Sequence, residues 1–198
     1  MPTESAILPP PTLKGPEFLQ PLRQLYEHAG LSLPEIEPLI GEAVPLPYRH
    51  LLVHQRDMTP TLESFYGDEI HIAVLRRERQ GEVYLREVVL RLDRTDRPVE
   101  FGANRVHLSR FPSEARWLIL QEQLPLGRIL KDHGLPHQTR ALAFFRVVAD
   151  AFIAKSLGVR RGEVLYGRQA RIANLDGQAL SEVVEILPVV RGLPPRGI

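Results

Sequence analysis

The chain has 198 residues, of which 43% are hydrophobic and 25% charged, and its formal net charge is +1. This balance is typical of one soluble globular domain, and it lacks the basic excess that general binding to nucleic acid or to a membrane surface requires. Because the sequence contains no cysteine, disulfides, thiolate metal sites and cysteine nucleophiles are excluded. No secretory leader and no apolar run of membrane-spanning length is recognisable, so we expect a cytoplasmic protein.

The first fifty residues are rich in proline, with ten of the eighteen prolines of the chain. Proline disfavours helix interiors and central strands, and we expect residues 1–14 to form a flexible arm. One helix is predicted over 16–29, ending at Gly30. Its support is a set of apolar residues at helical spacing, Phe18, Leu19, Leu22 and Leu25.

The middle of the chain predicts a short helix followed by three strands. The helix spans 59–65, and the strands, which are rich in Ile, Val and Leu, span 69–77, 83–92 and 99–108. The dipeptide Gln80-Gly81 suits the hairpin turn between the first two strands. These strands are therefore expected to be neighbours in an antiparallel sheet.

The remaining sequence predicts three helices and two strands. The helices span 112–123, 127–133 and 136–157, and the strands span 164–174 and 179–187. The long third helix is inferred from an apolar stripe at helical spacing, formed by Leu142, Phe145, Val148, Phe152 and Ile153. Turn-forming residues between the last two strands predict a second hairpin.

Together these elements predict a single α+β domain, in which helices group on one side or end of an antiparallel sheet. The domain is expected to span 15–190, and residues 191–198 are expected to form a C-terminal tail. No internal repeat of solenoid length occurs, and we expect a monomer or a small homo-oligomer.

An arginine in the second predicted strand is the first candidate functional residue. Alternation places Arg86 on one strand face with Tyr84 and Val88, so its side chain should point toward the interior. A buried guanidinium without a partner is strongly unfavourable, and Arg86 therefore needs an anion. That anion is either a structural partner, such as Glu185 or Glu182, or the carboxylate of a bound ligand.

The last predicted strand carries one acid on each of its faces. Glu185 lies on one face and Glu182 on the other, so periodicity alone does not tell which of them is internal. An internal carboxylate could hydrogen-bond a substrate hydroxyl or transfer a proton, whereas a solvated acid has no such role. Arg168 and Arg171, at the start of the preceding strand, either face solvent or guard the mouth of a pocket.

The sequence contains no pattern for a metal, a nucleotide or a nucleic acid. The seven histidines have no metal-ligand spacing, and no glycine-rich phosphate loop or dinucleotide motif occurs. The aromatic residues are not interleaved with a basic stripe. We therefore expect no metal, no cofactor, no nucleic-acid partner and no membrane partner.

Five short motifs, in this order, resemble those of the chorismate pyruvate-lyase family. They are Asp57-Met58-Thr59, Tyr84–Leu90, Leu124–Leu130, Tyr166–Arg171 and the closing stretch Gly177–Pro188. The resemblance implies an antiparallel sheet of about six strands with helices over a buried ligand pocket. It also implies conversion of chorismate to 4-hydroxybenzoate and pyruvate without a cofactor.

The resemblance also assigns roles to individual residues. It implies that Arg86 binds the ring carboxylate and that Glu185 meets the hydroxyl end of the ring, and these two are the expected catalytic residues. Met58 and Leu126 would offer main-chain groups to the substrate. Catalysis would consist mainly of holding the ring and its side arm in a reactive pose.

Chorismate carries a second carboxylate, for which Arg168 or Arg171 is the expected partner. Two features depart from the family pattern. The match at Glu185 requires a shift of one residue, so Glu182 stays a possible substitute. The segment 136–158 does not align, and we expect it to form an altered lid.

Two other interpretations stay open. The chain could be a non-catalytic domain that binds an aromatic carboxylate, like the effector domains of some transcription regulators of this fold. It could also be a structural domain in which Arg86 and Glu185 form an internal salt bridge. The sequence does not decide whether a product would be 4- or 3-hydroxybenzoate.

Overall fold

A seven-stranded antiparallel sheet and six α-helices make up the part of the chain that the structure describes. The structure is a computed structural model, and it describes residues 18–190. The predicted arm over 1–14 and the predicted tail over 191–198 lie outside the described residues.

The sheet is continuous from one edge to the other. The helices are α1 (Gln20–His28), α2 (Tyr48–Leu52), α3 (Met58–Tyr66), α4 (Ser113–Gln121), α5 (Leu126–Asp132) and α6 (Ala151–Leu157). The strands are β1 (Ile36–Leu39), β2 (Ile70–Gln80), β3 (Val83–Leu92), β4 (Pro98–His107), β5 (Gln138–Val148), β6 (Val164–Ala173) and β7 (Ala179–Leu187). They lie in the order β1-β5-β6-β7-β4-β3-β2, and every neighbouring pair is antiparallel.

Different helices cover the two faces of the sheet. One face, here called the α1/α6 face, packs on α1 and α6 and includes Leu85 and Val89 of β3. The other, the cavity face, includes Val88 and Leu90 and is covered by α2 to α5. Because consecutive side chains of a strand point to opposite faces, each strand contributes to both layers.

The structure confirms the fold class and most of the predicted elements. The strands β2, β3, β4, β6 and β7 and the helices α1, α3, α4 and α5 lie within a few residues of their predicted bounds. The edge strand β1 was not predicted, because it lies in the proline-rich segment and contains Pro38, which an edge strand tolerates. Within residues 18–190, no helix combines the length and the apolar character needed to cross a bilayer.

The predicted helix over 136–157 is wrong. Most of this segment forms β5, which pairs with β1 on one side and β6 on the other. Only its last part is helical, as α6, where the Asp150 carboxylate accepts a hydrogen bond from the Ile153 N–H at 2.8 Å. The segment is therefore part of the sheet and its following helix, and not a lid.

The sequence of β5 imitates a helix because both of its faces are buried. Phe145 packs on the α1/α6 face, whereas Ala141 and Phe144 pack on the cavity face. A β-bulge between Ala141 and Ala143 interrupts the alternation further. Without a polar face there is no period-two signal, and the remaining apolar spacing happened to fit a helix.

Candidate functional site

A cavity lies between the cavity face of the sheet and the first turns of α3 and α5. Its empty volume is ≈ 490 Å³, part of which is open to solvent. The polar walls are Asp57, Thr59, Arg86, Glu100, Asn104, Thr139, Arg168 and Glu185, and the apolar walls include Met58, Ile72, Val88, Leu90, Leu126, Ile172 and Val183.

Arg86 is a cation of the cavity wall that has no acidic partner among residues 18–190. The residue is 1% exposed, and neither its Nε nor its Nη1 has a hydrogen-bond partner in that part of the chain. Burial lowers the pKa of Arg86, because the loss of water disfavours the charged form, although Tyr84 and the nearby charge of Glu122 raise it in part. Its guanidinium carbon lies 6.0 Å from the ring centroid of Tyr84, which is weak compensation. Arg86 thus points inward, as the alternation predicts.

The first turn of α3 faces the cavity with its backbone N–H groups uncapped. Asp57 occupies the N-cap position, where an aspartate normally accepts a hydrogen bond from the first turn, but its side chain makes no such bond. The Asp57 carboxylate instead accepts hydrogen bonds from His137, at 2.8 Å, and from Thr139. The N–H groups at Met58 and the next position therefore line the wall without intrahelical acceptors.

Asp57 acts as an ionised anchor between α3 and the start of β5. Burial by itself raises the pKa of Asp57, but the hydrogen bonds from His137 and Thr139 outweigh it and hold the pKa below its usual value. The same contact raises the pKa of His137, chiefly through the hydrogen bond to Asp57. Both groups are engaged with each other, so neither is a free acid or base in the cavity.

The start of α5 forms the wall next to α3. Leu126 and Gly127 occupy its first two positions, and both line the cavity. A Cβ added at Gly127 would lie 3.0 Å from Oγ1 of Thr59, so the glycine allows the two helices to approach closely. Met58 and Leu126 consequently face the same space.

Arg168 lies in the cavity wall but is fully engaged by the protein. The residue is 0% exposed, and its Nε donates to Oε2 of Glu185 at 2.5 Å. Its two Nη groups donate to the backbone oxygens of Leu52, His54 and Arg56. Arg168 therefore fixes the segment between α2 and α3 and neutralises Glu185, and it has little capacity left for a ligand.

His54 completes this arrangement as a neutral ring. Burial, together with the positive charges of Arg168 and Arg56, lowers the pKa of His54 to about 4. Its Nε2 lies 2.8 Å from the Leu51 oxygen, and its Nδ1 lies 3.2 Å from Nη1 of Arg168. These contacts assign the proton to Nε2, with Nδ1 as the acceptor.

Glu100 is a second acid of the cavity wall, next to Glu185. It is 4% exposed, and its Oε2 has no hydrogen-bond partner among the described residues. Burial, and then the negative charge of Glu185, raise the pKa of Glu100 well above its usual value, although Arg168 lowers it in part. This carboxyl therefore retains its proton more readily than an ordinary glutamate.

The structure brings together five of the six residues expected in the site. Met58, Arg86, Leu126, Arg168 and Glu185 all line the cavity. Arg171 does not, because it is an exposed residue of β6 that is not part of the cavity wall. Of the two candidate acids, Glu185 is the one in the cavity, and Glu182 instead pairs with His107, at 2.9 Å between Oε2 and Nε2.

The sequence analysis did not identify Glu100 and Asn104. These residues share one face of β4 with Gly102, while the other face carries apolar residues in its middle and polar ones at its end. A strand of this kind normally turns its polar face to solvent, so alternation alone points away from a site. The position of β4 between β3 and β7, both rich in apolar residues on both faces, is the signal that this polar face is enclosed.

No metal centre is evident in the part of the chain that the structure describes. Within residues 18–190, no group of three or more His, Cys, Asp or Glu side chains is placed to hold a metal ion. From residues 18–190, the cavity therefore receives one cation without an ion-pair partner, a buried acid pair and an uncapped helix start as its polar groups. Such a set can bind an anionic group at one end of a small molecule and a hydrogen-bonding group at the other.

Comparisons with known proteins identify the fold. No protein-family model matches the sequence, and no curated protein matches it either. Among solved structures, PhnF from Mycobacterium smegmatis matches 92% of this chain and 89% of its own, with 13% identity and a TM-score of 0.51. The effector domain of PhnF matches 66% of this chain and 87% of its own, with 14% identity and a TM-score of 0.50.

A third structure has a similar extent of overlap. YydK of Bacillus subtilis, described as a possible transcriptional regulator, matches 94% of this chain and 92% of its own, with 11% identity and a TM-score of 0.50. Membership of the chorismate pyruvate-lyase family stays a prediction. At these identities the likeness shows that the chain shares its α+β fold with effector domains of this kind.

Proposed function

We propose that this chain is a small-molecule-binding domain whose cavity takes a small carboxylate, with Arg86 as the anchor. One observation carries the proposal. Arg86 is a fully buried cation at the wall of a cavity, with two nitrogen atoms that have no partner among residues 18–190. A guanidinium matches a carboxylate in a bidentate way, and a bound anion would supply the partner that the described residues do not.

The start of α3 supports the same orientation of the ligand. Uncapped N–H groups at a helix N-terminus carry partial positive charge, and Met58, at the start of α3, lines the same cavity as Arg86. The side chain that would normally satisfy them, that of Asp57, is turned toward His137 and Thr139. An anion at Arg86 would therefore face more than one positive group.

The comparisons support binding over catalysis. One similar structure is an effector domain, and another is described as a possible transcriptional regulator. A domain of that kind needs a closed, selective cavity but no reacting groups. The cavity, with an Arg86 that has no ion-pair partner among residues 18–190, supports a binding role without reacting groups.

The test is a binding experiment with a ligand pair that differs in the carboxylate. Isothermal titration calorimetry of the whole chain with 4-hydroxybenzoate should show binding, whereas 4-hydroxybenzamide, which has no charge, should bind at least about 30-fold more weakly. Arg86→Met should remove the preference for the carboxylate. Arg171→Met, which changes an exposed arginine outside the cavity, should leave it unaltered. Equal affinities for the acid and the amide would contradict the proposal.

Chorismate lyase activity is a second candidate, favoured by the grouping of Met58, Arg86, Leu126 and Glu185 on one cavity. Against it stands the second carboxylate of chorismate. Arg168 is engaged with Glu185 and backbone oxygens, and Arg171 is exposed, so neither arginine is free to receive that group. Incubation with chorismate decides the matter: enzyme-dependent release of pyruvate supports the lyase, and binding of 4-hydroxybenzoate without pyruvate release supports the binding domain.

A further inference from the structure

The end of the cavity away from Arg86 has more acidic than basic side chains. Glu100 and Glu185 line it, and Arg168 is the cation that accompanies them among the described residues. Arg168 is already bonded to Glu185 and to backbone oxygens. Glu100 forms no ion pair within residues 18–190, and its Oε2 has no hydrogen-bond partner there. This acid is therefore the counterpart of Arg86 at the opposite end.

Glu100 differs from Arg86 in one respect, which is that it can lose its charge. Two ionised carboxylates with one cation would leave a net negative charge where water is largely excluded, which is strongly unfavourable. A proton on Glu100 removes that charge in the empty cavity. An arginine does not deprotonate under these conditions, so the two ends respond differently to a ligand.

The two ends are separated along β4 by Gly102, which has no side chain of its own but is overlain by the side chains of Val88, Glu100 and Asn104. Arg86 lies opposite Asn104, and Glu100 is four positions from Asn104 on β4, about 13 Å along an extended strand. Gly102 lies between them, and a Cβ there would be 3.2 Å from Oε1 of Glu100 and 3.4 Å from Nδ2 of Asn104. Glu185 is the cross-strand neighbour of Gly102. A flat ring or a short chain with one end at each charge would therefore pack against the side chains that cover Gly102.

We propose, building on the function proposed above, that the cavity selects a ligand with a single anionic group at the Arg86 end and a hydrogen-bond donor at the Glu100 end. Glu100 is the residue that sets this preference. A ligand hydroxyl donates to the acid pair of Glu100 and Glu185 while the proton stays on Glu100. A ligand ammonium takes the place of that proton, which passes to solvent. A second anion at this end adds a negative charge that no free cation of the described residues offsets.

A series of three benzoates tests the selection. The series consists of 4-hydroxybenzoate, 4-(aminomethyl)benzoate and terephthalate, which share the carboxylate and differ in the charge of the opposite group. Calorimetric titration of the whole chain at neutral pH should show binding of the first two. Terephthalate should bind at least about 100-fold more weakly, because its second carboxylate meets Glu100 and Glu185.

The variant Glu100→Gln separates a selective role from a structural one. Glutamine keeps the shape and a hydrogen-bond donor but cannot ionise. Affinity for 4-hydroxybenzoate should stay within about threefold, while affinity for 4-(aminomethyl)benzoate should fall at least about tenfold with the loss of the ion pair. A merely structural role of Glu100 would weaken all three ligands by the same factor. If this variant does not fold, as judged by circular dichroism, the ligand series on the unmodified chain decides.

The outcomes distinguish the inference from the function on which it rests. Terephthalate binding within about threefold of 4-hydroxybenzoate, or unchanged ligand ratios in a folded Glu100→Gln variant, would overturn the inference and leave carboxylate binding intact. If no member of the series binds, both the inference and the proposed function are wrong.

Discussion

Arg86 and Glu87 follow one another on β3, but their side chains enter two different environments. Both residues are at most 1% exposed. Arg86 points to the cavity face and has no ion-pair partner among residues 18–190, whereas Glu87 points to the α1/α6 face, where Nε of Arg76 lies 3.5 Å from its Oε2. The comparison shows that burial of a charge does not by itself indicate a site. What distinguishes Arg86 is the empty space beside it.

The surroundings of Glu87 explain its burial without a ligand. Arg76 is the cross-strand neighbour of Glu87 on β2 and lies 4.2 Å from the ring centroid of Phe152 on α6. Close by, the Tyr26 hydroxyl donates to Asp150 at 2.9 Å, and burial with the charge of Asp150 raises the pKa of that tyrosine. Neither oxygen of Glu87 has a hydrogen-bond partner among the described residues, but the ion pair with Arg76 and the absence of a cavity beside it set Glu87 apart from Arg86.

The largest expected difference between the two faces is in stability, when a glycine on each face is replaced by alanine. At Gly167, on the α1/α6 face, a Cβ would lie 2.5 Å from the backbone oxygen of Glu185 and 2.6 Å from the Phe145 ring. Gly167→Ala should lower the free energy of unfolding by about 3 kcal/mol or more, measured by urea denaturation. At Gly102, on the cavity face, the contact at 3.1 Å is to Cγ2 of Val88, a side-chain atom that can move.

Gly102→Ala is therefore the matched control. It should change stability by less than about 1 kcal/mol, but it should weaken ligand binding because the methyl group occupies the wall of the cavity. Similar losses of stability in the two variants would mean that the cavity face is packed as tightly as the α1/α6 face.

A second expected difference is the pH dependence of stability that Glu87 causes. Burial raises the pKa of Glu87 from 4.5 to about 7, with Arg76 opposing and Asp150 and Glu78 adding to the shift. The folded state therefore holds a proton that the unfolded state has lost, so the free energy of unfolding falls as the pH rises from about 4.5 to about 7. Glu87→Gln should match the unmodified chain near pH 4.5 and exceed it by about 1–3 kcal/mol above pH 7. Denaturation at several pH values measures this, and a constant offset would contradict it.

The smallest expected effect concerns the two arginines in the absence of ligand. Arg86→Met removes a buried charge that has no partner among the described residues, and it should raise the free energy of unfolding by about 1 kcal/mol. Arg76→Met removes the partner of Glu87 and should lower it. Thermal unfolding of both variants measures this contrast in stability. If Arg86 itself stabilises the fold, Arg86→Met will also lower the free energy of unfolding and the contrast will disappear.

The sequence predicts the strands best where one face or a hairpin turn is distinctive. The hairpin of β2 and β3 and that of β6 and β7 were predicted from turn residues and alternation. The failure at β5 has a physical reason, since a strand covered on both sides has no polar face to reveal its period. The edge strand β1 was missed because its pairing with β5 depends on long-range contacts that no local pattern encodes.

The site residues, like the strands, were predictable only in part. Alternation on β3 placed Arg86 inward because apolar neighbours flank it, and the family resemblance selected Glu185 over Glu182. Glu100 was not predictable, because an acid near a glycine on a strand resembles a solvated position. Only the helices that cover this face of the sheet show that the position is buried. Arg171 is exposed and outside the cavity wall, and a cluster of arginines in sequence does not show which of them the sheet exposes.

The adjacency of Arg86 and Glu87 has a consequence for how β3 pairs with its neighbours. A slip by one residue would move every side chain of the strand to the opposite layer. The guanidinium would then lie against α1 and α6, and the carboxylate of Glu87 would move to the cavity face, opposite Gly102 or Asn104. Most apolar positions of β3 tolerate such an exchange, since both layers are hydrophobic. The two opposite charges do not tolerate the exchange, and they therefore favour the observed register of β3 as the sheet forms.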